Sequence, residues 1–90
     1  MREIRSTGQF KRDVKRIQKR GLDLAQLREV IERISAGDPL DQRHRDHPLQ
    51  GGYSGSRECH ISGDWLLIYE RTDVELVLVR TGTHSDLFGE

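Results

Sequence analysis

The 90-residue sequence holds one cysteine, one tryptophan and two prolines. A single thiol, Cys59, cannot close an internal disulfide, so the chain suits a reducing cytoplasm. No apolar run approaches the length needed to span a bilayer, and the opening MREIRSTGQF lacks the apolar core of a secretory signal. The expected location is therefore the cytoplasm, with no membrane partner. No Walker loop, serine-centred motif or dinucleotide fingerprint is present, nor any internal repeat or low-complexity tract. What remains is one small domain over residues 1–90, 33% apolar and 33% charged. At this length roughly 60–65% of the unfolded surface is buried on folding, which implies a thin core.

The formal net charge is zero, but it is unevenly distributed. Residues 1–20 carry eight Lys and Arg against Glu3 and Asp13, a local balance of +6, which leaves −6 on the rest. A neutral total argues against generic nucleic-acid affinity. A segregated basic segment permits a directed contact with a polyanion, and equally describes a solvated helix face.

Residues 1–5 read as a short extended segment. In STGQFKRDVKRIQKRG, Ser6 and Gln9 have the spacing of a capping box, and Phe10, Val14 and Ile17 form an apolar stripe at i, i+4, i+7. Lys19 and Arg20 suit the helix C-terminus, and Gly21 supplies a left-handed stop. A second helix follows in DLAQLREVIERISAG, with Asp23 as N-cap and Leu24, Leu27, Val30, Ile31 and Ile34 on the buried face. Gly37, Asp38 and Pro39 end it. DPLDQRHRDHPLQGGYSG is a polar loop, ordered only if something anchors it. Strands are expected at about 55–61, 64–70 and 74–81, joined by tight turns into an antiparallel meander. The fold class is α+β: an N-terminal strand, and a two-helix hairpin packed on one face of a mainly antiparallel sheet formed with the C-terminal meander.

Strand alternation places Glu58 and His60 on one face and Cys59 and Ile61 on the other. Asp64 lies just past the turn, close enough to approach His60. With His60 and Arg80 facing away from the helices, His84 and the DHPLQ loop can close over them, gathering His47, His60, Asp64, Arg80 and His84 on one concave surface. Such a set suits phosphodiester cleavage, because one imidazole takes a proton while another gives one, and a guanidinium holds phosphate oxygens. Phe88 and Arg57 are candidate substrate contacts, Phe88 by stacking on a base.

Plainer roles exist for each. A lone histidine is most often a surface residue, and Arg80 can form a structural ion pair with Glu58 or Glu70. Phe88 can simply pin the tail, and Trp65 and Tyr69 read as core. Cys59 points away from His60, which disfavours a cysteine nucleophile. The histidines lack the short spacing of a chelating pair, so no metal and no cofactor is expected. His44 has no expected role.

DHPLQGGYSGSRECH, GDWLLIYE and RTGTHSDLF, in that order after two helices, resemble the YafQ-type toxins of the RelE/ParE superfamily. The similarity spans nearly the whole chain, including STGQFKRDVK. The resemblance implies a RelE-like fold and a toxin of a type II toxin–antitoxin pair. Its activity would be that of a ribosome-dependent endoribonuclease, an mRNA interferase cutting translated mRNA. It places the catalytic positions on His47, His60, Asp64, His84 and Phe88, with Arg80 as the strand-end arginine. The expected mechanism is metal-independent attack of the ribose 2′-hydroxyl on phosphorus, with His60 and Asp64 on the base side and His84 as acid. His47 and Arg80 would steady the phosphate. The implied partners are a DinJ/RelB-like antitoxin, the ribosome and mRNA, with DNA reached only through the antitoxin. Lys11, Arg12, Lys15, Arg16, Lys19 and Arg20 become candidate ribosome or antitoxin contacts. A ParE-like topoisomerase inhibitor and a non-catalytic RNA-binding module are the alternatives.

Overall fold

Helix α1 (Gly8–Lys19) begins at a different cap from the one its sequence suggests. Ser6 is committed to a strand, β1 (Glu3–Ser6), which runs parallel to β5 (Glu75–Thr83) with Ser6 opposite Leu78. The cap falls to Thr7, whose hydroxyl accepts from the Phe10 amide at 2.9 Å and donates to the Val79 carbonyl at 2.7 Å. Gln9, the expected second member of the box, turns its amide to Asp13 instead. The structure, a computed structural model, describes residues 1–53 and 55–89. Ser54, within the expected polar loop, lies outside the described residues.

Helix α2 (Leu24–Ala36) follows its expected limits, with Asp23 accepting from the Ala25 amide at 2.9 Å and Gly37 at φ +81° as C-cap. Three antiparallel-linked strands, β3 (Arg57–Ser62), β4 (Trp65–Arg71) and β5, sit within one or two residues of their expected positions. They form a five-stranded sheet of order β1-β5-β4-β3-β2, in which β2 is the two-residue His47–Pro48. The sheet is mixed because β1 pairs in parallel. Both long helices contribute to a single core: Phe10 and Ile17 from α1 and Leu27, Val30 and Ile34 from α2. They are clustered with Cys59, Leu67, Tyr69, Leu76 and Leu78 of the sheet.

The opposite face carries Leu66 and Ile68, covered by Leu87 of a five-residue helix, α3 (His84–Phe88), and by Leu49, Tyr53 and Val79. The sequence led us to expect a folded-back tail here but no helix. The loop between α2 and β3 is held at several points. His44 Nδ1 donates to the His60 carbonyl at 2.6 Å, the Tyr69 hydroxyl donates to Asp46 at 2.6 Å, and the Leu49 amide donates to the Ser56 carbonyl at 2.9 Å.

A register shift in the β4–β5 ladder decides where the site can form. Tyr69 pairs with Leu78, but the next pair is Ile68 with Arg80, so Val79 is a bulged residue. Simple alternation would put Arg80 on the helix side with Leu76 and Leu78. The extra residue brings Arg80 into register with Ile68 instead.

Candidate active site

Cross-strand pairing lines up the polar residues of the open face. His47 lies opposite Glu58, Glu58 opposite Ile68, and Ile68 opposite Arg80. The next row is His60, Leu66 and Gly82. Two buried aliphatic side chains thus form the floor between a histidine–glutamate edge and Arg80.

Helix α3 brings the third histidine over this floor. The chain turns at Gly82, where a Cβ would meet Asp86 at 3.0 Å, so only glycine lets the helix fold back this closely. Thr83 and Asp86 then form a reciprocal capping box. Asp86 is also gripped by Arg20, at 2.6 and 3.0 Å, and by Arg16 at 3.4 Å. The Arg20 hydrogen bond holds its carboxyl well below the usual carboxylate range. A helix of five residues has little stability of its own, so this clasp to α1 and the burial of Leu87 hold it in place.

His84, the first residue of α3, donates through Nδ1 to the Asp64 carboxylate, and its ring centroid is 6.0 Å from that of His60. The hydrogen bond from His84 depresses the Asp64 pKa. The sequence paired Asp64 with His60; the structure pairs it with His84, while His60 directs Nδ1 to the Gly63 carbonyl at 3.5 Å. The reason is geometric: Asp64 sits at the β3–β4 turn, beneath the start of α3, a neighbour that strand reading did not include. Phe88 lies 6.0 Å from His84 and meets Tyr53 edge-on at 5.9 Å, with 38% of its surface exposed. It both pins the tail and keeps a face toward solvent.

Arg80 forms neither of its expected ion pairs. Its Nε and Nη2 donate to the two oxygens of Asp13, each at 3.0 Å. Asp13 is fully buried and also accepts from Arg16 at 2.5 Å, Gln9 at 3.1 Å and the Thr81 amide at 3.2 Å. Burial alone would raise its pKa; the bonds from Arg80, Gln9 and Thr81 outweigh it and lower the value. Asp13 in turn raises the pKa of Arg80, whose charge is therefore permanent. Asp13 was legible in the sequence, since it falls at i+3 from Phe10 inside the stripe that buries α1. It was counted only as a charge.

Glu58 is the second residue that the sequence underused. It is 5% exposed, and its Oε2 is 3.1 Å from His47 Nε2. Among the described residues its Oε1 has no hydrogen-bond partner, and it lies 3.8 Å from His84 Nε2. A buried acceptor left open costs free energy unless a ligand completes it. The signal was the alternation itself, which already set Glu58 on the His60 face. Tyr53, beside Phe88 and Arg80, had no periodic signal in its glycine-rich loop.

Other candidates fall away from this surface. Arg57 pairs with Tyr69 in the ladder, hence on the helix side, and binds Asp46 at 3.2 Å. Cys59 is completely buried, and burial pushes its thiol up to about 12. His44 is buried and hydrogen-bonded as a structural spacer. Of the basic residues on α1 and at its C-cap, Arg16 and Arg20 are bound to Asp13 and Asp86, whereas Lys11, Lys15 and Lys19 are exposed. Among the described residues, no group of three or more His, Cys, Asp or Glu is arranged to hold a metal ion. No helix among them is long and apolar enough to cross a membrane.

Fold and site together define the class: a small α+β domain with imidazoles and carboxylates on the sheet face opposite its two long helices. A family described as bacterial toxins of type II toxin–antitoxin systems, YafQ, matches residues 2–89. The chain is 44% identical over 89 residues to the mRNA interferase toxin YafQ of Escherichia coli K12, covering 98% of this chain and 97% of that one. The crystal structure of YafQ from E. coli BL21(DE3) superposes with a TM-score of 0.93 at 42% identity, over 99% of this chain and 100% of that one. The toxin in the E. coli DinJ–YafQ toxin–antitoxin complex matches with a TM-score of 0.90 at 44% identity, over 98% of both chains. The chain belongs to the YafQ family of type II toxins.

Proposed function

We propose that the protein is an mRNA interferase, a ribosome-dependent endoribonuclease that cuts translated mRNA by acid–base catalysis with its own side chains and works in the cytoplasm. The observation that carries this reading is the pair His60–His84, two imidazoles facing one open surface in different electrostatic settings. His60 directs Nδ1 to a neutral carbonyl, which leaves the Nε2 lone pair available as a base. His84, whose Nδ1 is held by the Asp64 carboxylate and whose orientation is so fixed, is the acid. In the reaction His60 takes the proton from the ribose 2′-hydroxyl as that oxygen attacks phosphorus. His84 gives a proton to the departing 5′-oxygen, leaving a 2′,3′-cyclic phosphate and a 5′-hydroxyl. Arg80, its charge fixed by Asp13, neutralises the phosphorane, and the His47–Glu58 pair borders the same phosphate.

Dependence on the ribosome is supported by the openness of the site. His84 and Asp64 have side chains 42% and 59% exposed, and a surface this shallow needs a second body to align a flexible RNA. The exposed lysines of α1 suit that contact. A DinJ-like antitoxin is the expected protein partner.

The test adds chelator-stripped protein to translating ribosomes in magnesium buffer and maps the ends of cut message. We expect 5′-hydroxyl ends at full rate without transition metals. Ends bearing 5′-phosphate, or cleavage only after zinc or manganese is added, would overturn the mechanism. Intact message with inhibited topoisomerase would return the ParE-like reading.

A further inference from the structure

Between α2, the turn Gln42–His44 and the end of β3 runs a groove that the reaction described above does not use. Arg33, Arg43 and Arg45 line it, with Glu29 as the only acidic side chain among the lining residues, and His60 stands on its rim. All three arginines are exposed, and none of their guanidinium groups has a hydrogen bond or ion pair among the described residues. Elsewhere the arginines are largely spoken for: Arg2, Arg5, Arg12, Arg16, Arg20, Arg57 and Arg80 all bind oxygens of the protein.

Two features tie the groove to the site. His44, buried beneath it, bonds the His60 carbonyl at 2.6 Å and so fixes the arginine-bearing turn to the strand of His60. Arg45 has φ +46°, a left-handed backbone that suits glycine or asparagine better, and its carbonyl accepts from His47 Nδ1 at 2.6 Å. One residue thus orients a histidine of the site with its backbone and lines the groove with its side chain.

We infer that this groove binds the phosphates of the mRNA on the 5′ side of the cleaved bond. The inference rests on the enzymatic reading, in which His60 serves the 2′-hydroxyl of the upstream nucleotide. His84, on the downstream side, is not part of the groove lining, so the chain continues into the groove in the 5′ direction. Planar guanidinium forks without intramolecular partners match phosphate oxygens in pairs, and an RNA backbone presents one such group per nucleotide.

The experiment compares Arg33→Gln/Arg43→Gln with wild type on translated mRNA, with Arg28→Gln on the exposed side of α2 as a control. Arg45 is left intact because its backbone orients His47. The double variant should raise KM five- to tenfold with kcat within twofold, and the control should change neither. Uncharged methylphosphonate linkages 5′ of the mapped cut should raise KM for wild type but add little in the double variant. An unchanged KM, or fully additive effects, would overturn the inference. So would lost antitoxin affinity with normal KM, which would assign the groove to a protein partner. If wild type cuts no message, the enzymatic reading fails separately. Binding of a 24-nucleotide 2′-O-methyl RNA then decides, with the slope of log K against log salt falling by about 1.4 for two lost single-strand phosphate contacts if the groove binds RNA, and staying unchanged if it does not.

Discussion

Replacing Asp13 by alanine should damage stability and catalysis together, although Asp13 belongs to the helix side of the molecule. The carboxylate is fully buried and accepts from Arg80, Arg16, Gln9 and the Thr81 amide. Its removal leaves Thr81 N–H unpaired, which costs about 1–3 kcal/mol. It also leaves the largely enclosed Arg80 charge without its partner, and breaking a buried pair in this way costs about 3–5 kcal/mol. The two losses share one acceptor and do not add in full, so the expected total is about 3–5 kcal/mol. A chain of this length has roughly 5–13 kcal/mol to lose. Urea titration should show the midpoint falling by at least about 1 M with an unchanged m-value. The double variant Asp13→Leu/Arg80→Leu carries neither charge and should recover all but the Thr81 contribution, about 1–3 kcal/mol, while remaining inactive. Acidification gives an independent check. The folded protein holds the Asp13 proton more weakly than the unfolded chain does, so the contribution is complete above about pH 4 and lost as pH falls through the depressed folded value. The alanine variant should lack that part of the acid dependence. An Asp13→Ala protein within 1 kcal/mol of wild type, or a double variant no more stable than the single, would refute this account of Arg80.

His84→Ala should reduce cleavage on ribosomes by about 10²–10⁴ with little change in melting temperature, and wild type should show a bell-shaped rate–pH profile that loses one limb in His60→Ala. A His84→Ala protein that still cuts at a comparable rate would remove α3 from the chemistry. Charge reversal at Lys11, Lys15 and Lys19 should weaken ribosome association and make what remains less sensitive to salt, as read by cosedimentation. Arg16 and Arg20 must be left intact because they hold Asp86. Unaltered association would make that face merely solvated. Cys59, buried and with its thiol raised to about 12, should resist alkylation at pH 8 until the protein is unfolded. Rapid labelling of the folded protein would contradict the packing of β3.

Local chemistry was legible in the sequence wherever one period or one cap governs the outcome. The stripe Phe10–Val14–Ile17, the Asp23 cap, the Gly37 stop and the alternation that sets Glu58 and His60 against Cys59 all stand in the structure. Each depends on backbone sterics over a few residues, and one buried face then settles the register. The sequence grouped His47, His60, Asp64, Arg80 and His84 on one surface. In the structure His84 meets Asp64 and lies near His60, His47 sits beside Glu58, and Arg80 is held by Asp13. Partner choice was not legible. Asp64 binds a residue 20 positions away, Arg80 one 67 away and Arg20 one 66 away. Several carboxylates compete for each cation on paper, and only the packed backbone selects among them. The Val79 bulge is of the same kind: alternation alone sets Arg80 in line with Leu76 and Leu78, and the ladder with β4 pairs it with Ile68, from where its guanidinium reaches Asp13. Helix α3 is too short to declare itself by periodicity and exists because α1 grips Asp86 and the sheet buries Leu87. The sequence by itself determined which side chains are available for acid–base chemistry and which strand face carries them. Tertiary structure decided which carboxylate serves which cation, because that choice depends on distances between segments that meet only when the sheet is complete.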